Sequence, residues 1–397
     1  MIERDLKPGW RRVKFGDVVR LSKARSKDPM ADGIERYVGL EHLEPGDLRI
    51  RSWGNVADGV TFTSVFQPGQ VLFGKRRAYQ RKVAVADFSG VCSGDIYVLE
   101  TKDAQVLLPE LLPFICQTDA FFDHAVGTSA GSLSPRTNWT SLAEFEFALP
   151  SMDEQMRILQ GLRASYSLVE SYQDLISACE QLWKSRTTDL FATGATKETV
   201  PLGELVDYSS DGPFGSKLKT EHYSDQGARV IRLNNIDLLE FNNSDSAFVP
   251  MEYFRELHNY EVKGGDVIIA GLGDDRIPMG RACIVPLEIG STINKADCYC
   301  LRTNEKLSAR YLIHFLNSNE GLKQARSMAQ GTTRKRLNLS NIRRFGIPFR
   351  SLSEQDEIAD ELDSYLSAKK DALTRLELSL VVRDQMRESA FAGVAHV

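Results

Sequence analysis

The sequence predicts an α+β protein in which two mixed α/β domains are each followed by a long helix, with the two helices pairing as an antiparallel coiled coil. A run with helical apolar spacing extends from Glu154 to Phe191, and a second run of the same length extends from Glu354 to Phe391. The segments before these runs are similar in length and repeat the same order of patterns. Such long periodic runs indicate a coiled coil, because a narrow apolar stripe needs a partner helix. The chain is therefore a pseudo-twofold internal repeat with predicted segments 1–150, 151–195, 196–350 and 351–397.

The composition is that of a globular protein with an acidic balance. The chain has 397 residues, of which 42% are hydrophobic and 26% charged, enough for two or three domains. A net charge of −5 argues against a protein that coats nucleic acid indiscriminately, so any nucleic-acid surface must be local. No long apolar window or signal peptide is present in the sequence, which predicts a cytoplasmic protein. The six cysteines are irregularly spaced, and we interpret them as structural thiols rather than disulfide or zinc ligands.

The first domain shows short strands separated by turns. Runs rich in β-branched and aromatic residues are bounded by Pro-Gly, Gly-Asp and Ser-Gly turns, which predicts a strand in each run. Residues 107–127 have a helical pattern, residues 131–136 form a loop, and residues 142–150 alternate as a strand that stops at Pro150. The other predicted strands are 36–50, 70–76, 82–88 and 95–100.

The first long helix begins with a capping signal. Ser151, followed three residues later by Glu154, matches the capping box. From Ser151 to Phe191 the helix would be about 60 Å long, given the rise per residue of an α-helix. Its predicted apolar stripe consists of Met152, Met156, Leu159, Leu162, Tyr166, Val169, Tyr172, Ile176, Cys179 and Trp183.

The second half of the sequence repeats these patterns in the same order. Residues 307–325 predict a helix, and Ser353 with Asp356 suggests a capping box for the second long helix. Equal lengths make mutual pairing of the long helices the simplest way to bury both stripes. The matching segments are 13–21 with 200–208, 66–75 with 262–271, and 93–101 with 295–303. The second stripe consists of Ile358, Leu362, Tyr365, Ala372, Leu376, Leu380 and Met386.

The sequence carries no catalytic signature that withstands inspection, which predicts that the chain is not an enzyme. It lacks a phosphate-binding P-loop, and Gly271-Leu272-Gly273 lacks the third glycine of a dinucleotide fingerprint. Glu261 and Lys263 have the spacing of a nuclease site, but no acidic partner in a strand precedes them. The six histidines are isolated from one another, so no metal site is predicted.

Two basic loops are the positive signal. Residues 75–82 carry five cations in eight residues, and residues 331–350 carry six cations without one acidic residue. The positive charges in such a cluster repel one another unless an anion neutralises them. Lys and Arg side chains can bind phosphates, and Arg, Gln and Asn can also hydrogen-bond to base edges. A solvated hairpin face is the alternative interpretation. We predict DNA contacts from Lys75, Arg76, Arg77, Tyr79, Gln80, Arg81, Lys82, Ser132, Arg136, Arg276, Arg281, Thr333, Arg334, Lys335, Arg336 and Asn338.

The loops of the two copies differ in composition. Residues 271–281, which correspond to the basic loop of the first copy, have few cations and two acids. If these loops recognise bases, the two copies recognise different sequences. The small polar residues of 128–138 suit the clamping of a phosphate backbone, and a polar turn before a strand is the alternative.

The ordered duplication resembles the specificity subunit of Type I restriction-modification systems. The likeness lies in the block 73–99, in the Gly-Thr loops at Gly127 and Gly331, and in the helix openings LPSMDEQMRI (149–158) and IPFRSLSEQDEI (347–358). The resemblance implies two target-recognition domains that recognise a bipartite, asymmetric duplex DNA target, one half-site each. It implies a non-catalytic subunit that binds no cofactor and recruits two adenine methyltransferase subunits and restriction/translocase subunits. Those partners would use S-adenosylmethionine, and ATP with Mg.

Three other functions remain open at this point. One is the specificity subunit of a related methyltransferase-nuclease system without the ATP-driven motor. Another is a coiled-coil scaffold protein, and the third is a single-chain enzyme with an unrecognised site. A helix of about 60 Å exceeds one turn of duplex DNA, at about 34–36 Å, so the first interpretation predicts two half-sites separated by an unrecognised gap.

Overall fold

A computed structural model describes residues 6–192, 198–274, 276–331 and 335–391. The chain divides into two units. The first unit consists of Met1–Tyr172 with Thr374–Val397, and the second consists of Gln173–Leu373. Each unit therefore holds one globular segment and part of each long helix. The four-segment division of the chain given above stays a prediction.

The first unit is built on a four-stranded antiparallel sheet in the order β2-β9-β6-β7. A second sheet has the order β4-β3-β8-β5, and β1 pairs with β10. The strands are β1 Arg11–Lys14, β2 Val19–Leu21, β3 Arg36–Val38, β4 Gly54–Asn55, β5 Ser64–Phe66, β6 Val71–Gly74, β7 Val83–Val85, β8 Gly90–Cys92, β9 Ile96–Thr101 and β10 Glu146–Leu149.

Strand β6 shows why the apolar runs of this sequence form strands. All four of its residues are buried. Val71 and Phe73 contribute to the core that the helices cover, whereas Leu72 contributes to the core under the second sheet. Because both faces of the strand are covered, the run is continuously apolar rather than alternating.

The helices of the first unit are α1 Phe15–Val18, α2 Leu112–Ile115, α3 Asp119–Gly127, α4 Trp139–Ala143 and α5 Met152–Phe191, the last of which continues into the second unit. The single helix predicted over 107–127 is wrong in detail. It breaks at Thr118, whose Oγ1 accepts a hydrogen bond from Phe121 N and caps a new helix. The strand predicted over 142–150 begins only at Glu146, because Asn138 caps α4 through Ser141 N at 2.8 Å.

Among the described residues, the second unit repeats the order of the first four-stranded sheet, and its second sheet has three strands where that of the first unit has four. Its four-stranded sheet is ordered β12-β18-β15-β16, a second sheet is ordered β14-β13-β17, and β11 pairs with β19. The strands are β11 Thr199–Pro201, β12 Val206–Ser210, β13 Ala228–Ile231, β14 Phe248–Val249, β15 Val267–Ala270, β16 Ala282–Ile284, β17 Thr292–Asn294, β18 Cys298–Thr303 and β19 Gly346–Pro348.

The remaining helices are α6 Met251–Glu256, α7 Ala309–Asn317, α8 Asn319–Met328, α9 Leu339–Ile342 and α10 Leu352–Phe391. The predicted helix 307–325 is two helices, because Ser318 ends α7 and its Oγ accepts a hydrogen bond from Gly321 N, which begins α8. The capping box of α10 is formed by Ser351 and Glu354, so the predicted Ser353–Asp356 pair is wrong. Within the described residues, no helix is long and apolar enough to cross a membrane.

The glutamine at the start of each long helix fixes that helix to its domain. Gln155 is 1% exposed; its Oε1 accepts from Leu108 N, and its Nε2 donates to Val106 O and Pro150 O. Gln355, also 1% exposed, makes the same bonds with Ser308, Lys306 and Arg350. Each of these four residues in the second unit lies 200 positions after its counterpart in the first unit. The internal repeat therefore extends to individual buried hydrogen bonds.

The two long helices pack against each other in an antiparallel direction within the first unit. Leu159 and Leu162 of α5 and Phe391 of α10 belong to the same core. A Cβ added at Gly161 would lie 3.2 Å from Met386 Cε, so glycine permits this close approach. Further along α5, the Tyr166 ring lies 5.0 Å from the Arg383 guanidinium carbon.

In the second unit the helix segments are joined by ion pairs as well as by apolar contacts. Arg186 donates two hydrogen bonds to the Glu361 carboxylate, at 2.7 and 3.0 Å. Glu180 pairs with Lys369 at 2.7 Å, and Leu190 shares a core with Ile358 and Leu362. The predicted fold class, with antiparallel coiled-coil helices, is confirmed. Met156 departs from the predicted stripe and is 49% exposed.

A candidate nucleic-acid interface

The two polar loops of the first domain lie side by side and form one surface. Thr137 N donates to Lys75 O at 3.0 Å, and Arg77 N donates to Pro135 O at 2.7 Å. Ser134 Oγ accepts hydrogen bonds from Arg76 Nη2 at 3.1 Å and from Arg77 Nη2 at 3.3 Å. Residues about sixty positions apart in the chain are thereby combined, and we call residues 75–82 with 128–138 the first loop pair.

Asp95 organises the cations of this surface. Its carboxylate accepts from Arg136 Nε at 2.7 Å and from Arg76 Nη1 at 3.3 Å. The Arg136 guanidinium, with a further contribution from Arg76, holds the pKa of the Asp95 carboxyl below its usual value, although partial burial acts in the opposite direction. The pairing with Asp95 raises the pKa of Arg136. Asp95 therefore holds both arginines in place, and it favours the charged form of Arg136.

Part of the first loop pair faces outward. Tyr79 is 55% exposed, and it lies in a short 3-10 helix, Ala78–Gln80, that interrupts the loop. Arg77 and Arg81 flank this helix with φ of 54° and 56°, a left-handed conformation that is uncommon for residues other than glycine. Within this helix Ala78 is buried against the domain, so the helix is fixed there while Tyr79 faces solvent.

Arg81 and Lys82 are tied to the domain more tightly than the sequence indicates. Arg81 Nη2 donates to Asp119 Oδ1 at 2.5 Å, and its guanidinium carbon lies 4.7 Å from the Phe122 ring centre. Lys82 Nζ donates to Leu40 O at 2.7 Å. Their predicted contacts with DNA stay predictions, and both side chains also hold the loop to its surroundings.

The second unit has the same loop frame with different lining residues. Leu337 N donates to Gly271 O at 3.0 Å, as Thr137 N does to Lys75 O. Tyr299 Oη donates to Leu337 O at 2.5 Å, and Tyr97 Oη makes the equivalent bond to Thr137 O at 3.4 Å. Residues 271–281 with the described part of 330–338 form the second loop pair.

The closing turn is also repeated. Ala130 and Arg136 exchange two backbone hydrogen bonds, and so do Gln330 and Arg336. Gly131 and Gly331 have φ of 111° and 110°, a conformation that favours glycine. The structural equivalent of Gly331 is therefore Gly131 and not Gly127, the glycine of the Gly-Thr loop in the first half of the sequence.

Arg336 corresponds to Arg136 and also has an acidic partner. Its Nε forms an ion pair with Asp297 Oδ1. Its guanidinium carbon lies 5.2 Å from the ring centre of Phe214, which is itself partly exposed. Lys335 is exposed, and Asn338 caps α9 by accepting from Asn341 N. Thr333 and Arg334 lie outside the described residues.

The two arginines predicted in residues 271–281 have different environments. Arg276 is exposed, and its backbone N–H donates to Asp274 Oδ1. Arg281 is 5% exposed, and burial lowers the pKa of its guanidinium. It donates to four backbone carbonyls, those of Leu233, Ile236, Leu272 and Pro278. Its donors thus hold the loop, and we leave it out of the proposed DNA contacts.

Sequence reasoning missed the two aspartates and the exposed apolar residues Leu133 and Phe214. Asp95 and Asp297 each stand two positions before the tyrosine that bonds the loop, so aligning the two copies would have found them. Leu133, which lies beside Ser132 at the tip of the first loop pair, is 89% exposed. Among the described residues, no group of three or more His, Cys, Asp or Glu is arranged to hold a metal ion.

The geometry defines a duplicated α+β protein in which each unit has an equivalent loop pair and a part of each long helix. Residues 195–378 match the family model of the Type I restriction modification DNA specificity domain. This match covers a little under half of the chain, and with the curated relatives it confirms the resemblance to Type I specificity subunits.

The relatives and solved structures agree with this family. The EcoDI specificity subunit of a Type I restriction enzyme from Escherichia coli is 27% identical over 178 residues, which cover 42% of this chain and 37% of the relative. The chain thus matches well under half the length of that relative. The MjaVIII specificity subunit from Methanocaldococcus jannaschii is 20% identical over 89% of this chain and 85% of its own.

Two solved structures have the same fold over nearly all of the chain. The S subunit of a Type I restriction-modification system from M. genitalium has a TM-score of 0.60 at 15% identity, covering 98% of both chains. The HsdS subunit from Thermoanaerobacter tengcongensis has a TM-score of 0.53 at 18% identity, covering 99% of both chains.

Proposed function

We propose that this protein is the DNA sequence-specificity subunit of a Type I restriction-modification system. In this proposal each unit recognises one half-site of a bipartite, asymmetric duplex target through its loop pair. The chain performs no chemistry and binds no cofactor itself. It recruits two adenine methyltransferase subunits that use S-adenosylmethionine, and restriction/translocase subunits that use ATP with Mg.

The observation that carries the proposal is the repeated loop frame with different lining. Both units hold a paired arginine at the same position, Arg136 or Arg336, next to a loop that follows the central strand of the sheet. In a chain of net charge −5, cations concentrated on these loops favour a local polyanion partner. A frame that recurs with altered side chains suits two half-sites of different sequence.

The experiment is a genome-wide map of methylated adenines in cells that express this chain with its methyltransferase subunit. We expect methylation at one asymmetric motif made of two short half-sites and a gap of fixed length. A single continuous motif, or methylation without sequence preference, would contradict the proposal. Binding of the assembled complex to duplex DNA should also weaken steeply with salt, because phosphate contacts release counterions.

A second arm tests the role of the long helices. Deleting one heptad from α5 and one from α10 at facing positions should preserve the apolar stripe, since seven residues are close to two helical turns. If the helices set the spacing, the methylated motif keeps both half-sites and loses base pairs only from the gap. An unchanged gap would remove the spacer role from the proposal.

A further inference from the structure

Arg136 and Arg336 hold equivalent places in the two units, and each is paired with an aspartate. The equivalence rests on the closing turns 130–136 and 330–336, which have the same pair of backbone hydrogen bonds. Asp95 and Asp297 lie at the start of the strands whose tyrosines, Tyr97 and Tyr299, bond the loop. This is the one charged pair that both loop pairs share among the described residues.

An aspartate at this position needs a physical reason. A carboxylate on a surface that contacts phosphates repels them, so it weakens sequence-independent binding. The side chains of Asp95 and Asp297 are only 20% and 17% exposed, whereas those of Arg136 and Arg336 are 51% and 43% exposed. The carboxylates therefore sit behind the arginines, which remain accessible.

The geometry of the pair in the first unit determines which edge of the arginine is available. Arg136 bonds Asp95 side-on, through Nε at 2.7 Å and Nη2 at 3.4 Å. Guanidinium has five N–H donors in a rigid fork, so a side-on contact leaves the Nη1/Nη2 end for a second partner. The preferred bidentate partner of that end in the major groove is guanine, through O6 and N7.

We propose that Arg136 and Arg336 each recognise a guanine, one in each half-site, and that Asp95 and Asp297 are positioning residues that orient them. This inference rests on the proposed function. A phosphate contact would need only the positive charge of these arginines, whereas guanine recognition needs the fork and its fixed direction. A lysine can therefore replace the arginine in a phosphate contact, but it cannot reproduce the two parallel hydrogen bonds to guanine.

The test uses the complex assembled with its methyltransferase subunit and duplexes that carry the mapped target. Arg136→Lys keeps the charge and loses the fork. We expect it to relax the preference at one G·C pair of one half-site by about tenfold or more, with an unchanged salt dependence. Arg336→Lys should do the same in the other half-site only. Each variant is the matched control of the other.

A modified base tests whether Arg136 contacts the N7 atom of guanine. Replacing the critical guanine with 7-deazaguanine removes the N7 acceptor and should weaken binding of the wild-type complex. The same replacement should cost the Arg136→Lys complex clearly less, because an ammonium lacks the fork that bonds O6 and N7 together. Equal losses in both complexes would overturn the guanine assignment.

Asp95→Asn and Asp297→Asn test the positioning role. Each should weaken binding to the guanine duplex, with no additional loss on the 7-deazaguanine duplex, and should leave the other half-site unchanged. A loss of the same size on both duplexes would overturn the positioning role, because a structural defect does not depend on N7.

A complex that selects no sequence would overturn the proposed function itself. A complex that selects sequence but keeps its preference in Arg136→Lys would overturn only this inference.

Discussion

The two loop pairs share a frame but differ in the side chains that line it. In both units the residue after the central strand, Lys75 or Gly271, donates its N–H to the carbonyl of the aspartate and accepts a bond from the closing loop. The next position is Arg76 in the first unit and Leu272 in the second. Since the frame is made of backbone bonds, the lining can change without changing the fold.

The loops are also stabilised in different ways. The first loop pair is held from outside, by Ser134, Asp95 and Asp119 acting on exposed or half-buried arginines. The second also has the outward Arg336–Asp297 pair, but its residues 271–281 are held from inside by the buried Arg281 and its four carbonyl partners. Beyond the shared Arg136 and Arg336, the first copy therefore adds surface arginines, whereas the second adds an internal one.

The largest effect that separates the units is expected from Arg281→Met. Methionine fills part of the space but leaves four carbonyls without their donor, so the second unit should lose about 3–4 kcal/mol of its free energy of unfolding. Urea denaturation of the full-length chain measures the loss, and hydrogen exchange in β15 and β16 assigns it to the second unit. Arg276→Met, on the exposed part of the same loop, should change stability by less than about 0.5 kcal/mol. Equal effects of the two substitutions would show that Arg281 does not support the loop from inside.

The glutamines at the helix starts should instead behave alike in both units. Gln155→Ala and Gln355→Ala each remove three buried hydrogen bonds and leave their backbone partners unsatisfied. We expect each to lower the free energy of unfolding by about 2–3 kcal/mol. Met156→Ala, next to Gln155 but half exposed, is the control and should cost less than either. If only one glutamine matters, the repeat is not energetically equivalent at this position.

The outward residues of the first loop pair should affect one half-site only. The triple substitution Arg76→Ala, Arg77→Ala and Gln80→Ala removes two cations and an amide from the loop. We expect a loss of at least about 2 kcal/mol in binding to duplexes with an intact first half-site, since each of the two lost arginine contacts contributes about 1 kcal/mol or more. Competition binding with duplexes altered in one half-site at a time measures it. Equal weakening toward both half-sites would identify the loop as a phosphate clamp.

These comparisons also show what the sequence could and could not predict. The strands at 70–76, 82–88 and 95–100 follow from local composition, and the structure has β6, β7 and β9 there. The breaks at Thr118 and Ser318 were missed, because a capping hydroxyl competes with a helical pattern that continues past it. Helical spacing alone carries no signal for such a break.

The site was predictable as two loops but not as one surface. Residues 75–82 and 128–138 are joined by long-range backbone bonds, which no local pattern indicates. Burial of Arg281 depends on carbonyls from residues 233 and 236, about 45 positions earlier in the chain, so its sequence neighbourhood resembles that of an exposed arginine. The two aspartates were not predicted, because an acidic residue by itself argues against a DNA-binding surface and the partner arginines lie about 40 positions away in the chain.

The smallest predicted difference between the units lies in the helix pair of the second one. The bidentate bonds from Arg186 hold the pKa of the Glu361 carboxyl below its ordinary value of 4.5. A carboxyl whose folded-state pKa is lowered stabilises the fold above its unfolded pKa, and this contribution is lost as the pH falls through the folded-state value. Both side chains are about a third or more exposed, so Glu361→Gln should cost less than about 1 kcal/mol at neutral pH.

The pH dependence separates this ion pair from a simple loss of packing. The difference in unfolding free energy between wild type and Glu361→Gln should be constant from pH 7 down to about pH 5, then shrink as the wild-type carboxyl is protonated. Urea midpoints of the full-length chain at a series of pH values measure it. Glu110→Gln is the control, because its partner Arg163 lies 3.5 Å away on an exposed surface of the first unit. If the Glu361→Gln difference persists at low pH, the side chain acts through packing and not through its charge.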